Sequence, residues 1–251
     1  MAQVGAMVSG AKQVKAPAFS IYDEREIAPH DLGDELWVGD RMFRFTKAGG
    51  TTLAPGKLVI AATPISYHQD CLLSAAVAAG GRVLTPTMGA TTAVTENMYA
   101  DGYLVLNKGT GFASAYRVKS HPAALVSATC AFTLYDDLEK AVDTTTEVTL
   151  VKNKYDSVIV LPTGATSQIP LGVPLLDVTA SYYFWLQVKG PAPVLVDTAN
   201  TLVIGETCGV ANSVAVAGAV ALRADQTTIC VGRVLYIGTA AEYALVDLTL
   251  D

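Results

Sequence analysis

Residues 103–119, YLVLNKGTGFASAYRVK, read as a β-hairpin. Residues 103–106 and 113–119 have the composition of strands. Between them Asn107, Lys108, Gly109, Thr110 and Gly111 supply the left-handed backbone that a short hairpin loop demands. Just downstream, residues 129–134 alternate strictly, with Cys130, Phe132 and Leu134 on one face and Thr129, Ala131 and Thr133 on the other, the period of a half-buried strand.

Working outward, the same pattern recurs. Phe43 and Phe45 share a face of 41–46 with Arg44 opposite, and 58–62 is a continuous apolar run of a buried strand. Residues 71–79 are predicted to form one arm of a hairpin returning at 82–85, in preference to a short alanine-rich helix. Strands are expected at 147–151, 158–161, 182–188, 194–196, 202–204, 214–222, 229–237 and 243–250. Their regular spacing, broken by Gly and Pro, fits a sandwich or barrel better than βαβ units. One short helix is predicted at 136–142, capped by Asp136 or Asp137, with Leu138 and Val142 on one face. The fold expected is all-β: an antiparallel β-sandwich or barrel-like body at 31–251, with a weak sub-boundary near 121, behind an extended N-terminal arm at 1–30. The arm's apolar residues Val4, Met7, Val8, Val14, Phe19, Ile21 and Tyr22 follow neither a helical nor a strand period.

Composition narrows the function. Of 251 residues 51% are hydrophobic and 16% charged, against roughly 25% charged in an ordinary soluble domain. So little charge suits a body that buries part of its surface against other subunits. The net charge of −6 is spread without a Lys/Arg cluster, which argues against nucleic acid, whose phosphates require a positive footprint. The longest uncharged stretch, 157–176, contains Pro162, Pro170, Pro174, Gly164 and Gly172 and is not a spanning helix; alternation alone does not exclude an outer-membrane barrel, which would need export, and no membrane role is expected. The first 19 residues lack the pattern of a secretory signal, so synthesis in a host cytoplasm is expected.

The residues that carry chemistry are sparse. The histidines are His30, His68 and His121, and no G-x-S-x-G motif accompanies them. His68, Gln69, Asp70 and Cys71 lack the second ligand pair of a metal site. Ser9 and Lys12 have S-x-x-K spacing but lie in the arm. Gly50, Gly56 and Lys57 imitate a phosphate loop with the wrong spacing and with Leu58 at the Mg-binding position. Cys71, Cys130, Cys208 and Cys230 are far apart and read as small buried hydrophobes. No catalytic, cofactor or metal site is expected, and the chain is not expected to be an enzyme. Carboxylate pairs of a polysaccharide hydrolase leave no such motif and stay open. The aromatic run Tyr182, Tyr183, Phe184, Trp185 places Tyr183 and Trp185 on one face of a strand and Tyr182 and Phe184 on the other. At least one pair belongs to a core, and Tyr183 and Trp185 join the arm residues as candidate contacts for a protein or sugar.

Several blocks resemble the small structural proteins of tailed-bacteriophage heads, usually interpreted as capsid decoration or cement subunits. They are MGATTAVTENMYADGYLVLNKGTGFASAYRVKSH (88–121), the stretch 134–161 containing TTTEVTLVKNKYDSVIVL, GVPLLDVTASYYFWLQVKGPAPVLV (172–196) and VGRVLYIGTAAEYALVDLTL (231–250). The resemblance covers about half of the chain and excludes the arm. It implies a β-rich homo-oligomer, often a trimer, on the outer capsid surface of the virion, bound to the major capsid protein across capsomer joints. It supplies no catalytic residue. The rival expectation is a carbohydrate- or receptor-binding module of a tail or fibre.

Overall fold

The computed structural model describes residues 19–163, 169–198, 202–210, 216–223, 228–238 and 242–251. They form an all-β, antiparallel structure. In chain order the strands are β1 Glu24–Arg25, β2 Glu35–Val38, β3 Arg41–Lys47, β4 Val59–Ile60, β5 Cys71–Leu72, β6 Val83–Leu84, β7 Tyr103–Lys108, β8 Ser114–Ser120 and β9 Phe132–Leu134. They continue as β10 Glu147–Val151, β11 Ile159–Val160, β12 Pro170–Gly172, β13 Tyr183–Leu195, β14 Thr207–Gly209, β15 Ala221–Leu222, β16 Cys230–Tyr236 and β17 Tyr243–Thr249. The one helical turn among the described residues is a 3-10 turn at Ser66–His68. The chain divides into two compact units, Met1–Ala61 with Tyr155–Asp251, and Ala62–Lys154.

In the unit Ala62–Lys154 a six-stranded sheet runs in the order β5-β10-β7-β8-β9-β6. The hairpin read from 103–119 is its centre: Tyr103 pairs with Arg117 and Leu106 with Ser114. Alternation then fixes the core. Leu104, Leu106, Tyr116, Val118, Phe132, Leu134, Val148 and Leu150 all point into one cluster with Leu84, Val94, Tyr99, Leu138 and Val142. Each such aliphatic or aromatic side chain contributes about 1.5–3 kcal/mol on burial.

The helix predicted at 136–142 is absent. Its backbone groups are satisfied across the chain instead of along it: Leu138 N–H donates to the Gly81 carbonyl, Gly80 N–H to that of Leu138, and Val142 bridges Val77. Leu138 and Val142 are buried all the same, so their spacing reported burial and not helix. Residues 71–79 form an extended path, with Leu73 bridging Pro86 and Ser74 N–H donating to the Thr85 carbonyl. The weak boundary near 121 is not where the units divide. His121 sits inside this unit, 3% exposed, and the divisions fall after Ala61 and after Lys154.

The other unit contains a large sheet of order β15-β14-β16-β17-β13-β3-β2, with β1 on β13, and a small sheet of order β11-β4-β12. β4 of the small sheet is buried on both faces: Val59 packs into a cluster with Phe184, Leu186 and Val188, and Ile60 into one with Ala192, Val194, Val246 and Leu248. That explains why 58–62 is apolar without a period. β13 joins the runs predicted separately at 182–188 and 194–196. Its first half pairs with β3 and its second half with β17, the change coming at a bulge between Gln187 and Lys189. Pro191 and Pro193 lie in the second half, where only β17 is hydrogen-bonded alongside, so their missing N–H groups leave no ladder bond unmade. The buried Gln187 side chain serves the bulge, its Nε2 donating to the carbonyls of Lys189, Gly190 and Pro191. The strand expected at 202–204 is absent from its described residues: the chain turns there at Gly205, whose φ of +83° lies in the left-handed region.

Candidate interaction surface

Phe19 and Ile21, assigned to the arm from the sequence, belong to the body. β1 pairs with β13 through Glu24 and Phe184, and Phe19, Ile21, Leu36, Phe43, Phe45 and Trp185 form one buried cluster. Trp185 lies edge-on to Phe45 with ring centroids 5.3 Å apart, and Phe45 stacks on Tyr183 at 5.7 Å. The body therefore begins no later than Phe19, and the boundary expected at residue 30 moves upstream. The faces assigned to the aromatic run hold, Tyr183 with Trp185 and Tyr182 with Phe184, but both faces are covered. Trp185, fully buried, offers no surface to a partner. Tyr22 is exposed and Tyr183 half-buried. Val4, Met7, Val8 and Val14 lie outside the described residues.

The polar groups with chemical potential are mostly engaged. In the Ala62–Lys154 unit, His68 Nδ1 accepts from the Tyr99 hydroxyl at 2.5 Å and Nε2–H donates to the Thr92 carbonyl at 2.9 Å. His121 Nε2 accepts the Tyr99 N–H at 2.9 Å while Nδ1–H donates to the Pro122 carbonyl. Burial lowers the pKa of His121, raises those of Cys71 and Cys130, and pushes Cys208 up to about 12. These are the environments of packed side chains. His68 lies in a 3-10 turn, and among the described residues no group of three or more His, Cys, Asp or Glu is placed to hold a metal.

In the other unit an open cleft of about 470 Å³ is lined by Glu24, Leu53, Lys57, Asp177, Val178 and Thr179, among others. The Glu24 carboxylate already accepts bonds from the Thr179 N–H and hydroxyl. That leaves the cleft with the exposed Asp177 and the half-buried Lys57 as its remaining charges.

Exposed apolar side chains occur in several places, among them Ile27, Phe112 and Leu125; on the outward face of β13, β17 and β16 they fall on neighbouring strands. Along β17 the side chains alternate: Ala244, Val246 and Leu248 are buried, and Tyr243 and Leu245 are exposed. Register carries the outward row sideways, because directly paired residues share a face. Leu245 pairs with Pro193 on β13 and with Tyr236 on β16, and Asp247 pairs with Arg233. Tyr236 is 62% exposed, Tyr243 47% and Leu235, in the bulge beside Tyr236, 46%. Tyr243 leans on the Pro55–Gly56 loop, its hydroxyl donating to the Pro55 carbonyl, and Leu235, Tyr236 and Leu245 stay outward and exposed. Sequence reading missed this row because β17 is apolar at five of its seven positions, so its period is weak; only Asp247 and Thr249 mark the outward side.

The chain matches no protein-family model, and comparison with curated proteins and with solved structures returns no match.

Proposed function

We propose that this chain is a non-enzymatic structural subunit of a virion, a decoration or cement protein that binds the major capsid protein on the outer head surface and stabilises capsomer joints. The observation that carries the reading is the outward apolar row of Pro193, Leu235, Tyr236 and Leu245 on adjacent strands of one sheet. Monomeric proteins seldom expose such contiguous patches, and subunits of assemblies do. The low charge of the whole chain and the resemblance of its Gly-punctuated blocks to phage head proteins point the same way. A net charge of −6 suits an outer surface better than contact with packaged DNA.

The glycan-binding alternative relied on the Tyr182 to Trp185 segment as a platform, and burial of Trp185 weakens it. Cryo-electron microscopy of particles carrying the protein tests the proposal. Density for it on the outside of the head, bridging capsomers, supports the reading; density confined to the tail or fibres rejects it.

A further inference from the structure

We propose that the outward face of β16 and β17 is a two-fold contact between two copies of this chain. The argument rests on register. Arg233 pairs directly with Asp247, and Tyr236 with Leu245, across the same two strands. Although Arg233 and Asp247 are opposite in charge and share a face, they form no ion pair with each other or with any other described residue. Both are on the outward face, Arg233 exposed and Asp247 half-buried, where charges of another molecule can reach them.

A second copy supplies what they lack. A two-fold axis running along the strands between β16 and β17 exchanges the two rows, so that β16 of one copy lies over β17 of the other. Arg233 then meets the partner subunit's Asp247, and the reciprocal pair forms at the same time. The same axis sets Tyr236 on the partner subunit's Leu245, at the roughly 10 Å spacing of stacked sheets. One operation satisfies both charge pairs and covers the exposed apolar row, because both are in-register pairs of one strand ladder. This face is complementary to itself, so the row serves contact between subunits, and attachment to a capsid would use another surface of the chain. The assembly then holds an even number of chains, a dimer or two joined trimers. The inference does not depend on the virion reading, since self-association is measured on the purified protein alone.

The test uses the full chain with Arg233→Glu and Asp247→Arg made separately. In a two-fold contact each variant opposes like charges across the interface, so each alone should lose association by light scattering. An equimolar mixture restores both opposite pairs in a heterologous dimer and should associate. Repulsion within one chain cannot be relieved by mixing, which separates the interface from simple destabilisation. A second reading avoids charge reversal: Tyr236→Cys mixed with Leu245→Cys should be joined by a bis-maleimide between those positions, identified by mass spectrometry. A wild-type monomer at micromolar concentration, single variants that associate like wild type, or a mixture with no restored association or cross-link would each overturn the proposal.

Discussion

Phe19 packs against Trp185 with ring centroids 6.5 Å apart, and both rings are buried. The chain's first described residue is thus anchored to its longest strand. Phe19→Ala removes a ring from a cluster that also holds Phe45 and Ile21, and should cost about 3–5 kcal/mol, measured by chemical denaturation. Two truncations, lacking residues 1–18 and residues 1–30, isolate the contribution of the segment 19–30 to the melting temperature. The longer deletion should melt well below the shorter one, because β1, Phe19 and Ile21 go with it. Equal melting temperatures for the two truncations would show that the 19–30 segment contributes nothing to the core.

The His121 ring is held neutral by geometry. Its Nε2 accepts the Tyr99 N–H, so a proton there would face a donor. Its pKa is lowered by burial, partly opposed by the Pro122 carbonyl and the charge of Glu96. The unfolded chain therefore binds this proton more readily than the folded one. The stability due to neutral His121 is complete above the unfolded value of about 6.5 and is lost as pH falls below it. Denaturation midpoints should drop between pH 7.5 and pH 5, and His121→Gln should flatten that part of the dependence. A midpoint in the wild type that is constant or rises on acidification contradicts the assignment.

All four cysteines are free thiols. Cys71, Cys130 and Cys208 are buried with raised pKa values, and Cys230 is half-buried. Because the thiolate is the reactive species, a thiol reagent at pH 7.5 should modify Cys230 first and the other three only on unfolding. Reductant should leave the melting temperature unchanged. Labelling followed by mass spectrometry decides; early modification of Cys208 would contradict its placement.

Gly172 of β12 lies tight against the backbone of Gln187 on β13. A Cβ added there would collide with the Gln187 carbonyl oxygen. Since Val173 and Gln187 exchange backbone bonds at this point, the strand cannot shift without losing them. Gly172→Ala should cost about 1–3 kcal/mol, the range of overpacked sites, in denaturant titration. A neutral substitution would mean that the two strands can separate freely.

The β character was legible because alternation and Gly-containing loops are local: β7, β8 and β9 were readable from 103–119 and 129–134 alone. What failed was non-local. The 136–142 segment has helical spacing, but partners at Gly81 and Val77 captured its backbone. Phe19 and Ile21 lack a period because they fill gaps in a core built by β3 and β13, and nothing nearby in sequence discloses that. The two-unit division was hidden because the first unit is discontinuous, closing only when residues after 154 return to it. The outward face stayed invisible for a related reason: exposure of Tyr236 and Leu245 depends on which strands pair, and an apolar residue facing solvent looks in sequence like one facing a core.

Co-sedimentation of the full-length protein with undecorated phage heads tests the central claim most directly. The account predicts saturable binding, with bound protein in fixed ratio to the major capsid protein and heads that resist disruption better once decorated. Protein that stays in the supernatant at every concentration, with head stability unchanged, would contradict it.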